Sequence, residues 1–185
     1  MQLVTPRIEH LDVYRAALET GWSPRTTRPE AAAEELRAIA KDADAFVASL
    51  NDPDARGDDI QLPDGSFVKR LPSFRRWIWD DGFCGSIELR WQDGTNALPP
   101  TCLGHIGYAV VPWRRRKGLA TFALGAFLTE AQGVGLTAVD LTADPENIAS
   151  VRVIEKNGGQ LVTRRDKLPA HGSGQEVLFR IELPQ

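Results

Sequence analysis

Apolar positions along the chain follow two rhythms, one helical and one of strands. A short strand at Leu3 and Val4 leads into Ile8, Leu11, Tyr14 and Leu18, which fall at helical spacing until Gly21 and Pro24 end the segment. A second helix is predicted from Pro29 or Glu30 to about Leu50. Its stripe is Leu36, Ile39, Ala43, Phe46, Val47 and Leu50, with Pro29 suited to a first turn and Glu30, Glu34 and Glu35 to the N-terminal half. The strand rhythm follows. Phe67 to Asp80, broken at Pro72, reads as one strand, Asp81-Gly82 as a hairpin turn, Phe83 to Trp91 as the return and Leu103 to Val111 as the next strand. Together they predict an antiparallel meander. Between the helices and the meander, Pro53, Gly57, Pro63 and Gly65 alternate with Asp52, Asp54, Asp58, Asp59 and Asp64, which reads as an exposed acidic loop.

The helical rhythm returns from Gly118 to Gln132 and stops at Gly133 or Gly135. A short buried strand, Ala138 to Thr142, comes next. Strand, helix and strand in that order predict that 103–111 and 138–142 run parallel. Asp144 to Asn147 breaks the strand, Asn147 caps a helix over Ile148–Lys156, and Asn157-Gly158-Gly159 ends it. Gln160–Thr163 and Glu176–Leu183 are the last two strands, joined by a loop with Pro169, Gly172 and Gly174. There is no internal repeat and no linker long enough to divide the chain, so 1–185 reads as a single domain.

One junction in this pattern carries candidate chemistry. The apolar run Ile106–Val111 ends at Pro112, then Trp113-Arg114-Arg115-Arg116-Lys117-Gly118 leads into the helix that starts with Leu119-Ala120. A helix N-terminus offers unpaired N–H groups and the positive end of the helix dipole, so it suits an anion. Gly118 has no Cβ and lets the backbone approach that anion. The stretch reads as a phosphate cradle. It contains no GxxxxGK[ST], and no GxGxxG follows a strand, which disfavours nucleoside-triphosphate and dinucleotide loops.

Composition narrows the classes. The chain is 42% apolar and 25% charged with a formal charge of −3, so no chain-wide basic excess points to nucleic acid. Two cysteines, Cys84 and Cys102, form no CxxC or Cys/His cluster, which argues against a disulfide framework or structural zinc and for a reducing compartment. The opening residues do not resemble a signal peptide, and no window approaches 18 apolar residues. A cytoplasmic protein with no membrane or metal partner is expected.

Arg115-Arg116-Lys117-Gly118-Leu119-Ala120 resembles the R/Q-x-x-G-x-G/A acetyl-CoA signature of the GNAT N-acetyltransferase superfamily. Asn147 through Gly159, an Asn-initiated helix ending in Glu155-Lys156-Asn157-Gly158, is similar to its second signature. The order of elements agrees, the resemblance covers most of the chain, and 103–162 is its cofactor-binding core. It is also similar at Gly104–Tyr108 to bacterial members described only as predicted acetyltransferases. The resemblance implies an α/β (α+β) fold, the GNAT acyl-CoA N-acyltransferase fold, with a mixed central sheet of about six to seven strands flanked by helices. It implies that Tyr108, Ala109 and Val110 pair their backbones with pantetheine, and that amides from Arg116 through Leu119, Ala120 and Thr121 hold the diphosphate. Arg115, Arg116 and Lys117 would meet the 3′-phosphate of coenzyme A, with Asn147 and Ser150 near the pantetheine. Many members carry a tyrosine acid seven residues after the asparagine; here that position is Ile154, which has no proton to give.

The implied activity is transfer of an acetyl group from acetyl-CoA to a primary amine by direct attack. An amine near pKa 10 is mostly protonated at neutral pH, so a base or water must take a proton. His105, Glu88 and Tyr108 are candidates, and Ser150 is a candidate acid. Each has a plainer reading: a packed strand histidine, a solvent-facing glutamate, a core aromatic, a helix-surface serine. Trp77, Trp79 and Trp91 line a pocket or fill the core. The acceptor class stays open between small molecule and peptide; the acidic loop favours a cationic one. A catalytically weak or inactive acyl-CoA-binding sensor is the alternative, and a nucleic-acid module built on Arg114–Lys117 is a weaker one. Monomer and homodimer both remain open.

Overall fold

The alternation along the meander sends its two faces into two separate apolar layers. In the computed structural model, which describes residues 1–61, 65–167 and 172–184, the chain begins with β1 (Gln2–Val4), a 3-10 turn at Ile8–His10 and α1 (Leu11–Glu19). Next come α2 (Ala31–Lys41), α3 (Ala43–Ser49), β2 (Asn51–Asp52), β3 (Ile60–Gln61) and β4 (Phe67–Val68). The meander is β5 (Ser73–Trp79), β6 (Phe83–Arg90) and β7 (Ile106–Val110). The tail is α4 (Leu119–Gly133), β8 (Ala138–Ala143), α5 (Ile148–Lys156), β9 (Gln160–Asp166) and β10 (Gln175–Glu182).

Strands β1, β5, β6 and β7 pair antiparallel in that order, with β2 also on β5; β8, β10 and β9 form a second antiparallel sheet. On one face of the first sheet, Phe74, Ile78, Ile87, Leu89 and Ile106 join a core with α4 and the second sheet. Helix α4 is apolar nearly all round because it fills that space, and each fully buried residue such as Leu124 or Phe127 contributes about 1.5–3 kcal/mol. On the other face, Trp77, Phe83, Ala109 and Val111 pack on Leu11, Tyr14, Leu18, Trp22 and Phe46 from the first three helices. Tyr14 stacks on Trp77 with ring centroids 4.8 Å apart.

The layered α/β fold follows the sequence pattern, with local departures. The single helix expected from 29 to 50 is two helices. Asp42 takes an extended conformation and its carboxylate accepts the Ala45 N–H at 2.9 Å, restarting the helix as an N-cap. Phe67–Val68 does not continue into β5; it pairs with Ile60–Gln61 as a ribbon apart from the main sheet. The segment 51–65 is therefore not all loop, and its residues Leu62, Pro63 and Asp64 lie outside the described residues, as does Pro169 in the last loop. Trp77 and Trp91 are core residues, while Trp79 is half-buried beside His10.

The central sheet is divided between β7 and β8. Where they meet, the His105 N–H donates to the Asp140 carbonyl at 2.7 Å, and the Asp140 N–H donates to His105 Nδ1 at 2.9 Å. Beyond this joint no ladder joins β7 to β8 among the described residues. Gly104 makes the approach possible: a Cβ there would stand 2.8 Å from the Asp140 carbonyl oxygen and 3.2 Å from Leu141 Cα. Backbone atoms on both sides leave little room to yield. Gly104→Val is expected to cost about 1–3 kcal/mol through overpacking at the joint, measured as a lower midpoint in chemical denaturation; an unchanged midpoint would show that the joint is soft.

Candidate functional site

The divided sheet gives β7 one unpaired edge. The Arg90 N–H bonds the His105 carbonyl and the Val111 N–H bonds the Cys84 carbonyl, both at 2.9 Å. Alternation in the antiparallel ladder then turns the backbone groups of Gly107 and Ala109 toward β6, and those of Ile106, Tyr108 and Val110 away from it. Of the three residues expected to offer their backbone to pantetheine, Tyr108 and Val110 face the open side. Ala109 does not, because its N–H and C=O belong to the β6 ladder and its side chain is core. One carbonyl on the open side already has a partner: Arg115 Nε donates to the Val110 oxygen at 3.2 Å.

The strand leads straight into the basic turn. Arg116 has φ of 62° and Gly118 φ of 77°, both left-handed, with Lys117 between them. Such alternation turns successive N–H groups to one side and makes an anion nest. Gly118 is the N-cap of α4 and its carbonyl accepts the Phe122 N–H at 2.9 Å. The N–H groups of residues 116–121 have no hydrogen-bond acceptor among the described residues. A Cβ at Gly118 would meet nothing within 4 Å, so the space in front of the nest is open. Arg116 and Lys117 are exposed, whereas Arg114 donates to the Asp81 carbonyl at 2.9 Å and ties the turn to the β5–β6 hairpin. A diphosphate fits this cradle: the donors are aligned, unpaired and flanked by cations.

The second wall is α5. Asn147 Oδ1 accepts the Ser150 N–H at 3.1 Å, so its carbonyl serves as a helix cap and its amide NH2 is left for another partner. From across the opening, the Tyr108 hydroxyl meets Ser150 Oγ at 2.9 Å and the Ser150 carbonyl at 3.3 Å. The structure thus joins two of the expected site residues. Burial raises the Tyr108 pKa and the bond to Ser150 opposes that, leaving a phenol that keeps its proton. Ile154 is fully buried, and a Cβ at Gly159 would lie 2.4 Å from its Cγ2. The position at which the resemblance implies a tyrosine belongs here to the core.

His105 is set apart from this opening. It is wholly buried, its Nδ1 is an acceptor at the sheet joint, and burial lowers its pKa against the pull of Asp140. The proton of the neutral ring therefore sits on Nε2, which has no partner among the described residues. This is the packed strand histidine, in a fixed tautomer, and not a base open to substrate.

Glu88 lies on the face toward α2, paired across the ladders with Arg75 and Gly107. It is not a solvent-facing glutamate. Arg75, only 4% exposed, donates to Glu35 at 3.0 Å, to the Tyr14 hydroxyl at 2.9 Å and to Glu88 at 3.4 Å; Tyr14 in turn donates to Glu35. Burial alone would raise the Glu88 carboxyl, but Arg75, with Arg25 and Arg90, overrides it and holds the pKa at about 2. Burial likewise disfavours the Arg75 charge, and Glu35, Tyr14 and Glu88 more than restore it. Beside this network is a cavity of about 220 Å³ lined by Arg25, Glu35, Arg70, Ser73, Arg75 and Glu88 among others. No site role was read in the sequence for Arg75, Glu35, Tyr14 or Arg25. The available signal was a charge at an inward strand position, two residues before the buried Trp77.

A family model for the acetyltransferase (GNAT) domain matches residues 3–160. No curated protein matches the chain. Among solved structures, the chain is similar to the microcin C7 self-immunity acetyltransferase MccE in complex with acetyl-CoA and AMP, with a TM-score of 0.65 and 11% identity over 97% of this chain and 91% of that one. It is also similar to RimL, the ribosomal L7/L12 α-N-protein acetyltransferase in complex with coenzyme A, with a TM-score of 0.64 and 12% identity over 98% and 93%. A GNAT-family acetyltransferase from Bacillus anthracis gives a TM-score of 0.60 and 17% identity over 97% and 93%. These likenesses establish the fold. No group of His, Cys, Asp and Glu among the described residues is placed to hold a metal ion, and no described helix is long and apolar enough to cross a membrane.

The Glu88 pKa makes a stability prediction. A depressed carboxyl contributes stability that is present above the ordinary carboxylate range and lost as pH falls toward 2. Glu88→Gln leaves buried cations uncompensated and is expected to cost about 2–3 kcal/mol near neutral pH. Melting temperatures of the two proteins should converge as pH is lowered to 2; a gap that persists there would mean that Glu88 acts through packing alone.

Proposed function

Since the chain belongs to the GNAT acetyltransferase family, we propose that it transfers the acetyl group of acetyl-CoA to a primary amine by direct attack. The observation that carries this reading is the nest at 116–121, six consecutive N–H groups without acceptors among the described residues, set at the end of a strand with an open edge. Amides 116–121 would hold the diphosphate, and Arg115, Arg116 and Lys117 the remaining phosphate. Tyr108 and Val110 would bond the pantetheine through their open backbone groups, with the Asn147 amide on the opposite wall. Bound there, acetyl-CoA supplies an activated thioester.

The chain's own groups then divide the proton work. Tyr108 and Ser150 form one hydrogen-bonded pair between the two walls, and the Tyr108 hydroxyl is protonated at neutral pH. That pair replaces the absent tyrosine at Ile154 as the proton donor to the departing thiolate. Glu88, with its pKa near 2, is too weak a base to deprotonate an amine. It stays ionised and steadies the ammonium, while water in the cavity takes the proton. The acceptor is a small-molecule or peptide amine, and the reaction belongs in the cytoplasm. The neighbours support an acyl-CoA site, since two of them hold acetyl-CoA or coenzyme A.

The second reading is a catalytically weak or inactive sensor that binds acyl-CoA without turnover, motivated by Ile154. Gly118→Glu, a negative side chain on a left-handed residue in the nest, is expected to weaken acetyl-CoA binding by at least 100-fold in titration calorimetry; unchanged affinity would remove the cradle. Thiol release across an amine panel separates enzyme from sensor. For the proton donor, Tyr108→Phe and Ser150→Ala should each lower kcat by about 10- to 100-fold with acetyl-CoA affinity retained. Full turnover in both variants would leave the thiolate to solvent.

A further inference from the structure

The cavity beside Glu88 is lined by three guanidinium groups, Arg25, Arg70 and Arg75, and three carboxylates, Glu34, Glu35 and Glu88, which are not paired one to one. Every carboxylate lining it already has a cation. Glu35 and Glu88 hold Arg75 at 3.0 and 3.4 Å, and Glu34 holds Arg28 at 2.7 Å. The cations are not matched in return. Among the described residues no carboxylate lies within ion-pair distance of Arg25, Arg70 or Arg90. Arg25 and Arg70 line the cavity, and Arg25 acts electrostatically on Glu88. Arg90 stands two residues along the same face of β6, its Nη2 3.2 Å from where a Gly107 Cβ would be and its buried Nε without a partner among the described residues. Arg70 Nε donates to the Asp58 carbonyl at 3.0 Å and Arg90 is engaged by Cys102 and Glu88, so Arg25 is the lining guanidinium without a hydrogen-bonded partner among the described residues. Such a group in a partly desolvated site favours an anion, and a carboxylate matches its planar fork.

Geometry orders the two charges. Glu88 stands opposite Gly107 on β7, the residue between Ile106 and Tyr108 whose backbones face the open edge. Gly107 has no side chain of its own, and the Arg90 guanidinium lies over it. With an amine at Glu88, a group behind it in the cavity would face Arg25. The cavity volume of about 220 Å³ is that of about seven waters at roughly 30 Å³ each, close to one amino acid.

We propose that this cavity takes an acceptor bearing a carboxylate close to its primary amine, an amino acid or an acidic peptide N-terminus, with Glu88 toward the amine and Arg25 on the carboxylate. The proposal rests on the acetyltransferase reading and names its substrate class. It reverses the cationic acceptor expected from the acidic loop. Two of that loop's aspartates are engaged locally: Asp52 accepts the N–H groups of Arg56 and Gly57, and Asp54 pairs with Arg56 at 2.6 Å.

The test compares initial rates of thiol release at saturating acetyl-CoA. Acceptors are free amino acids, their carboxamides, the matching decarboxylated amines, and a peptide with aspartate first and an amidated C-terminus. Amino acids should exceed their carboxamides in kcat/KM by about 10- to 100-fold, chiefly through KM. Arg25→Gln, at a half-buried position, should bring that ratio to within about threefold while the melting temperature holds. Turnover of the peptide at the rate of free aspartate assigns a peptide source; turnover of free amino acids alone assigns a metabolite. Carboxamides or polyamines used equally well, or a ratio unmoved in Arg25→Gln, would overturn the proposal. Calorimetry with N-acetylated amino acids and N-acetylated carboxamides, in the presence of coenzyme A, reads the same preference without catalysis. If no amine releases thiol although acetyl-CoA binds, the transferase reading fails. The charge preference is then decided by calorimetry: selective binding of the carboxylate sustains it, and equal or absent binding sinks it.

Discussion

The two hydrogen bonds between His105 and Asp140 govern the geometry of the site. They hold the two sheets together at one point, through a backbone carbonyl and a ring nitrogen. Past that point β7 has β6 on one side and nothing of the described ladder on the other. An unpaired strand edge is normally a liability. Here it is protected inside the fold and leads directly into the nest at 116–118. One set of backbone donors and acceptors therefore suits amides, and the next suits phosphates. His105 makes this possible by staying neutral: a protonated Nδ1 could not accept the Asp140 N–H, and burial lowers the pKa of the ring.

The opposite face follows a different logic. A guanidinium as buried as that of Arg75 would be costly alone. It is held by Glu35 from α2, Tyr14 from α1 and Glu88 from β6, so one side chain ties two helices to the sheet. The same arrangement governs chemistry. By clamping Glu88 at low pKa, Arg75 removes it from the list of bases and makes it a permanent negative charge near Gly107. Structure and function share one network, and a change that frees Glu88 as a base would also loosen the helices.

The cradle and the cap at Asn147 were legible in the sequence because each depends on residues close together along the chain. Gly118, the cations before it and the apolar run after it lie within a dozen positions, and the Asn147 bond to the Ser150 N–H spans three. The Tyr108–Ser150 contact crosses 42 positions, and the Arg75 contacts to Tyr14 and Glu35 cross 61 and 40. No local pattern encodes such pairs. The His105 joint is hidden for the same reason, since its partner is a backbone N–H 35 residues away. Ala109 was a matter of register: whether an odd or even residue faces the open edge depends on which one bonds β6.

Charge shows the same difference most clearly. Along the chain, the aspartates between Asn51 and Gly65 outnumber nearby cations and suggest attraction for a base. A ligand, however, responds to charge that is unpaired and poorly solvated, not to charge counted in a segment. Asp52, half-buried, and Asp54, exposed, are engaged within their own turn. The guanidinium groups lining the cavity come from two stretches, Arg25 from one and Arg70 and Arg75 from the other, and Arg75 is shared by two carboxylates. A field set by three-dimensional pairing thus need not have the sign of the nearest stretch of sequence.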